Sequence, residues 1–217
     1  RGREAESRAT ALATNRGGET ATLYFGGGTP SMLSDTHLGR LMETLDRLVP
    51  VDKLDEFSFE ANPATFTEKK VRFWRSLGMT RVSLGVQSLD SGILHLLGRE
   101  HTPAQALHSV EMLKNAGMAH INMDLMFAIP GQTLSIWEAT LKEAVRAGTD
   151  HISAYNLTYE EDTEFFRSLL RGEKRQDPDE DASFFELAEH MLEAAGMRHY
   201  ETSNYALSLI HISEPTR

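Results

Sequence analysis

Three glycines, Gly26-Gly27-Gly28, stand directly behind the extended segment Thr22–Phe25 and ahead of Thr29-Pro30-Ser31. Without Cβ atoms, such a run lets backbone N–H and C=O groups come close to a ligand. No Gly-Lys-Ser/Thr follows, so it is not a Walker A loop, and Ser31 and its neighbours replace the last glycine of a G-x-G-x-x-G fingerprint. Taken alone, the run also suits a tight turn into the next helix. Glu60, Gln87, Asp124, Tyr155 and Asn204 each fall late in an extended segment. Glu60 and Asp124 are of a type that can work as an acid–base pair on a small substrate. His95, His101, His108, His120, His151 and His199 show no H-E-x-x-H spacing and are expected at the surface or at caps. No metal ligand and no catalytic residue is assigned.

The elements that must position these groups follow a recurring pattern. A helix ends in a small or apolar residue and Gly, and a strand starts three residues later, at Leu77-Gly78, Ala116-Gly117, Ala147-Gly148 and Ala195-Gly196. Glycine just past a helix takes the left-handed conformation that closes it. The pattern predicts alternating β/α units and a parallel sheet. Strands are expected at Thr22–Phe25, Glu56–Glu60, Arg81–Gln87, His120–Phe127, His151–Leu157 and Tyr200–Asn204.

Leu38, Leu41, Met42, Leu45, Leu48 and Val49 make one helical stripe, ended by Pro50. Thr102-Pro103 reads as the start of a second helix, with Leu107, Val110, Leu113 and Ala116 on its buried side. Thr133 or Ser135 caps a third that runs to about Arg146. A fourth spans about Pro178 to Ala195, with an acidic start that suits a helix N-terminus.

Side chains alternate across a strand. Ser58 and Glu60 oppose Phe57 and Phe59; Ser83, Gly85 and Gln87 oppose Val82, Leu84 and Val86; Asn122 and Asp124 oppose Ile121, Met123 and Leu125. A doubly covered parallel sheet would be apolar on both faces, and a full eight-unit barrel fills its interior with aliphatics. One apolar and one polar face fit a partly open α/β barrel whose inner wall lines a ligand. The competing reading is that these polar groups satisfy one another or water.

The chain has 217 residues and a formal charge of −10, which disfavours nucleic acid and anionic membranes as partners. No apolar run approaches the roughly 20 residues a membrane span needs, and no signal peptide is visible. With 0 cysteines, the chain offers no disulfide, thiolate metal site or Cys nucleophile.

Five ordered segments carry a resemblance. They are Phe25-Gly26-Gly27-Gly28-Thr29-Pro30-Ser31, Glu60-Ala61-Asn62-Pro63, Arg81-Val82-Ser83-Leu84-Gly85-Val86-Gln87-Ser88, Leu97-Gly98-Arg99, and the run from Asn122 to Gln132. In this order they resemble the core of the radical S-adenosylmethionine (SAM) family of oxygen-independent coproporphyrinogen III oxidase and HemW-type heme chaperones, over residues 20–206. Ser153-Ala154-Tyr155-Asn156-Leu157-Thr158 and Tyr200-Glu201-Thr202-Ser203-Asn204-Tyr205-Ala206 look more like the chaperone branch.

The resemblance implies an α/β fold: a partial (β/α)6 TIM-like radical SAM barrel, incomplete at both ends. It implies SAM contacts at Gly27, Gly28, Thr29, Glu60, Gln87, Arg99, Asp124 and Thr158. Backbone groups at Gly27 and Gly28 suit the SAM amino group, Arg99 its carboxylate, and Glu60 or Asp124 its ribose hydroxyls. Arg99 also reads as a surface charge beside Glu100, and Asp124 as a partner for Asn122.

The function implied is a cytoplasmic heme chaperone that binds heme and SAM with a [4Fe–4S] cluster and hands heme to acceptor proteins. The alternatives are oxidative decarboxylation of coproporphyrinogen III to protoporphyrinogen IX and a cluster-free (β/α) barrel enzyme. Residues 1–206 are then the partial core, with residues 1–21 the remnant of a first helix and its loop. The family's C-x-x-x-C-x-x-C motif is absent, so the cluster belongs to the parent protein only, and the fragment by itself is expected to be inactive. Leu207–Arg217 resembles a translated sequencing-adapter read-through, and the chain reads as a truncated gene prediction cut at both ends.

Overall fold

The computed structural model describes residues 10–16, 19–157 and 178–208. These form eight strands in the order β1-β2-β3-β4-β5-β6-β8-β7. They are β1 (Thr10–Arg16), β2 (Glu19–Gly26), β3 (Glu56–Ala61), β4 (Arg81–Gln87), β5 (His120–Phe127), β6 (His151–Asn156), β7 (Arg198–Glu201) and β8 (Asn204–Ala206). The helices are α1 (Asp35–Leu45), α2 (Glu68–Ser76), α3 (Ser91–Leu96), α4 (Pro103–Asn115), α5 (Leu134–Ala147) and α6 (Pro178–Ala194). β2 to β3 and β3 to β4 run parallel, joined through α1 and α2. The four helix-closing glycines all take positive φ: Gly78 at 94°, Gly117 at 74°, Gly148 at 64° and Gly196 at 85°.

The described residues fall into two compact units. In the first, residues up to Gly85 and Ala104–Asn122, the core is aromatic. The Phe25 and Phe57 rings meet edge-on at 5.2 Å, and Phe59 tilts against Trp74 at 4.8 Å. In the second, Val86–Pro103 and Met123–Ser208, α5 packs on α6. There the buried Trp137 donates its indole N–H to the Phe184 carbonyl at 3.0 Å, so its one polar atom is satisfied. A smaller cluster of Ile93, Ile129 and Leu157 takes in Leu97, Met126 and Ile136.

Four expectations are corrected. Thr10–Arg16 is not the remnant of a helix: it is β1, antiparallel to β2, with Arg16 opposite Glu19. The final strand is two strands, because Thr202 and Ser203 form a turn and β8 pairs antiparallel with both β7 and β6. The first helix stops at Leu45, short of Val49, and Leu48 is 76% exposed; the approach to Pro50 disfavours helix there. His101 and His151 are core residues, 8% and 2% exposed, and not surface histidines.

Candidate functional site

The polar strand faces are sealed at their starts and open towards their ends. At the start of β3 and β4, Glu56 and Arg81 form a buried ion pair at 3.6 Å, each side chain 5% exposed. Ser58 donates to the Glu56 carboxylate at 2.6 Å. Further along, Asn122 donates its amide to the Ser83 hydroxyl at 2.7 Å, so Asn122 has a partner other than Asp124. Glu60, Gln87, Asp124 and Tyr155, later in their strands, are half-buried. Asn204 departs from this set: it starts β8 and donates to Glu201 at 2.9 Å.

In the first unit the glycine loop is built around Glu60. One carboxylate oxygen accepts the Tyr24 hydroxyl and the other accepts the Gly27 N–H at 3.0 Å. A Cβ at Gly26 would lie 2.4 Å from the Tyr24 ring and 2.9 Å from the Glu60 carboxylate, so residue 26 has room for hydrogen only. Gly27 and Gly28 follow with φ of 80° and 25°, and both are exposed.

Thr29 accepts from the Asn62 amide at 3.3 Å, and Asn62 N–H donates to the Ser31 hydroxyl at 3.2 Å. Ser31 also meets Thr65 at 2.7 Å, and Lys70 donates to the Ser31 carbonyl at 2.6 Å. Burial lowers the Lys70 pKa, against an opposing pull from Asp35. The loop is thus held from below by side chains, which leaves Gly27 and Gly28 uncovered.

In the second unit, Gln87 ends β4 with a φ of 67°, unusual for a residue with a side chain. The Ser88 N–H donates to the Val86 carbonyl at 2.8 Å across it, which makes a three-residue turn of the rare, strained kind. Such backbone costs of order 1–3 kcal/mol and persists only where its surroundings enforce it. Arg99 follows α3. Its guanidinium is half-buried, desolvation lowers its pKa, and no carboxylate acts on it among the described residues. It is not the surface partner of Glu100. Asp124 sits half-buried in β5. Thr158 lies outside the described residues.

Tyr24 and His101 were not among the residues expected from sequence to shape the site. Tyr24 shares a strand face with Gly26, and that spacing is the one local signal for it. His199 packs flat on Tyr205 at 4.5 Å and meets Glu189 at 3.2 Å through Nδ1 and the Thr202 carbonyl at 3.4 Å through Nε2. Burial, with Glu189 and Glu193, pushes Tyr205 up to about 12.

A parallel α/β sheet with a glycine loop after β2 and polar strand ends is the radical SAM fold, and the chain belongs to the radical SAM superfamily, whose profile matches residues 3–144. Among curated proteins it is similar to HemW proteins. It is 36% identical over 187 residues to the heme chaperone HemW of Lactococcus lactis, covering 86% of this chain and 49% of that one. It is 38% identical over 186 residues to heme chaperone HemW of Mycobacterium tuberculosis, covering 85% and 47%. Coproporphyrinogen III oxidase (HemN) of Escherichia coli superposes with a TM-score of 0.77 at 23% identity, over 87% of this chain and 43% of that one, and shows the fold. The chain spans about half the length of the curated relatives it matches.

Membership implies SAM and a [4Fe–4S] cluster. The cluster is held by thiolates, and this chain has 0 cysteines, so its own residues do not fit that group. Taken one by one, they suit SAM: the Arg99 guanidinium, desolvated and with no carboxylate acting on it among the described residues, suits an amino-acid carboxylate, and a loop without Cβ atoms suits close backbone contact. Among the described residues, no group of three or more His, Cys, Asp or Glu could hold a metal ion, and no helix is long and apolar enough to cross a membrane.

Proposed function

We propose that this chain supplies the SAM-cradling core of a radical SAM protein of porphyrin metabolism, and that the parent protein is a cytoplasmic heme chaperone. The parent would bind heme and SAM with a [4Fe–4S] cluster and pass heme to acceptor proteins. The cluster ligands would come from parts of the parent outside this chain. Residues 1–206 belong to the core on this reading, and 207–217 are foreign to it; 209–217 lie outside the described residues.

The chaperone branch is supported by the curated relatives of that name and by the segments Ser153–Thr158 and Tyr200–Ala206. The residues that would meet SAM on this reading are Gly27, Gly28, Thr29, Glu60, Gln87, Arg99, Asp124 and Thr158.

The observation that carries the SAM reading is Arg99, a half-buried cation with no carboxylate partner among the described residues. A charge-assisted fork to a carboxylate contributes about 1.5–3 kcal/mol, so Arg99→Ala in the cluster-loaded parent should weaken SAM binding by roughly ten- to a hundredfold. Unchanged affinity would remove Arg99 from the site. The parent should also bind heme and leave coproporphyrinogen III intact; oxidative decarboxylation of that substrate would make it the oxidase.

A further inference from the structure

The segment from Val86 to His101 leaves the end of β4, forms α3 and returns to its own start. The return brings a side chain onto the strand end: His101 Nε2 lies 3.0 Å from the Val86 carbonyl oxygen. A carbonyl only accepts, so Nε2 carries the proton. The same oxygen takes the Ser88 N–H at 2.8 Å, so one acceptor joins the strained turn at Gln87 to the far end of the segment.

The interior is fastened as well. Ser88, 0% exposed, accepts the Asp90 N–H at 3.1 Å, and Asp90 caps α3 by accepting from Ile93 N–H at 2.9 Å. Past α3, Arg99 N–H returns to the Leu94 carbonyl at 2.9 Å. The segment is thereby closed at its ends, with Ser88 buried and Ile93 and Leu97 packed on the cluster of Ile129 and Leu157. Its two ends carry Gln87 and Arg99.

We propose that His101 is a positioning residue, a clasp whose Nε2–H bond to Val86 closes this loop and holds Gln87 and Arg99 in the arrangement that receives SAM. The inference rests on the reading of Gln87 and Arg99 as SAM contacts. A hydrophobic residue at 101 would keep the volume and lose the donor. Glutamine would restore an N–H near the Nε2 position.

The test uses the full 217-residue chain. In the wild type, ring 15N spectra should show His101 as the Nε2–H tautomer at neutral pH. The Nδ1–H tautomer overturns the clasp without any variant. In His101→Leu, amide exchange at Ser88 should rise and SAM affinity, read by titration of amide shifts, should fall by roughly three- to tenfold, the worth of one buried hydrogen bond. His101→Gln should return both within about twofold of wild type. Leu and Gln variants with equal exchange and affinity would overturn the proposal. Arg99→Ala separates the two readings. If it leaves SAM affinity unchanged while Ser88 exchange still follows residue 101, the clasp stands and the SAM assignment of Arg99 fails.

Discussion

Glu60 accepts the Gly27 N–H at 3.0 Å with one carboxylate oxygen while Tyr24 donates its hydroxyl to the other. The glycine loop after β2 is therefore set from β3, the neighbouring parallel strand. Gly26→Ala should break this arrangement, because the new Cβ would stand 2.4 Å from the Tyr24 ring. Overpacking of this kind costs about 1–3 kcal/mol. Urea unfolding checks it, and a variant as stable as wild type would show that the ring moves aside freely.

The pair of Glu56 and Arg81 is buried, with side chains 5% exposed on both sides. Removing one member takes a buried opposite charge from the other, so Glu56→Ala or Arg81→Ala should each lose about 3–5 kcal/mol. Replacing both with apolar residues of similar size should cost far less. Equal losses in single and double variants would mean that the two charges do not depend on one another.

Burial lowers the His101 pKa below its ordinary 6.5; the bond to Val86 opposes this and Arg99 adds to it. The folded state thus prefers the neutral ring, and the unfolded state takes up the proton first as pH falls. The stability from this preference is complete above 6.5 and is lost as pH drops from there through the folded value. Denaturant midpoints measured across this range should flatten in His101→Gln. An unchanged slope would assign the acid sensitivity to other groups.

Ala128 follows β5 with a φ of 57°. A side chain there costs roughly 1–2 kcal/mol, and glycine returns about 0.4–1 kcal/mol of that through the freer unfolded chain. Ala128→Gly should be neutral to stabilising, by at most about 1.6 kcal/mol. Thermal unfolding reads this, and a clear loss of stability would mean that the methyl group packs usefully.

The parts of the fold legible in the sequence are those set by local physics. Gly78, Gly117, Gly148 and Gly196 close helices by conformational preference, and period-two alternation placed Glu60, Gln87 and Asp124 on their strands. β1 was not legible, since in Thr-Ala-Leu-Ala-Thr the alanines offset the strand preference of the threonines; pairing with β2 makes it a strand. At the site, Arg99 was legible as a cation in a motif. The Tyr24 bond to Glu60 spans 36 residues and the His101 bond to Val86 spans 15. Contacts of that reach depend on where the backbone brings the residues and leave no periodic trace.

The strand order is bordered by two antiparallel ribbons, β1 on β2 and β7 on β8. Their closing pairs, Arg16 with Glu19 and Glu201 with Asn204, are neighbours along the chain, whereas the parallel pair of β2 and β3 joins Thr22 to Glu56. Loop closure is cheap for the first kind and slow for the second. The borders should therefore nucleate early and the parallel ladder zip afterwards. Pulse-labelled hydrogen exchange during refolding should protect ribbon amides first, and protection of β3 ahead of them would reverse the order. The ends of β3 and β4, which carry Glu60 and Gln87, then belong to the late-forming, high-contact-order portion of the chain, so the polar end of this ladder is among the last parts of a nascent copy to be completed.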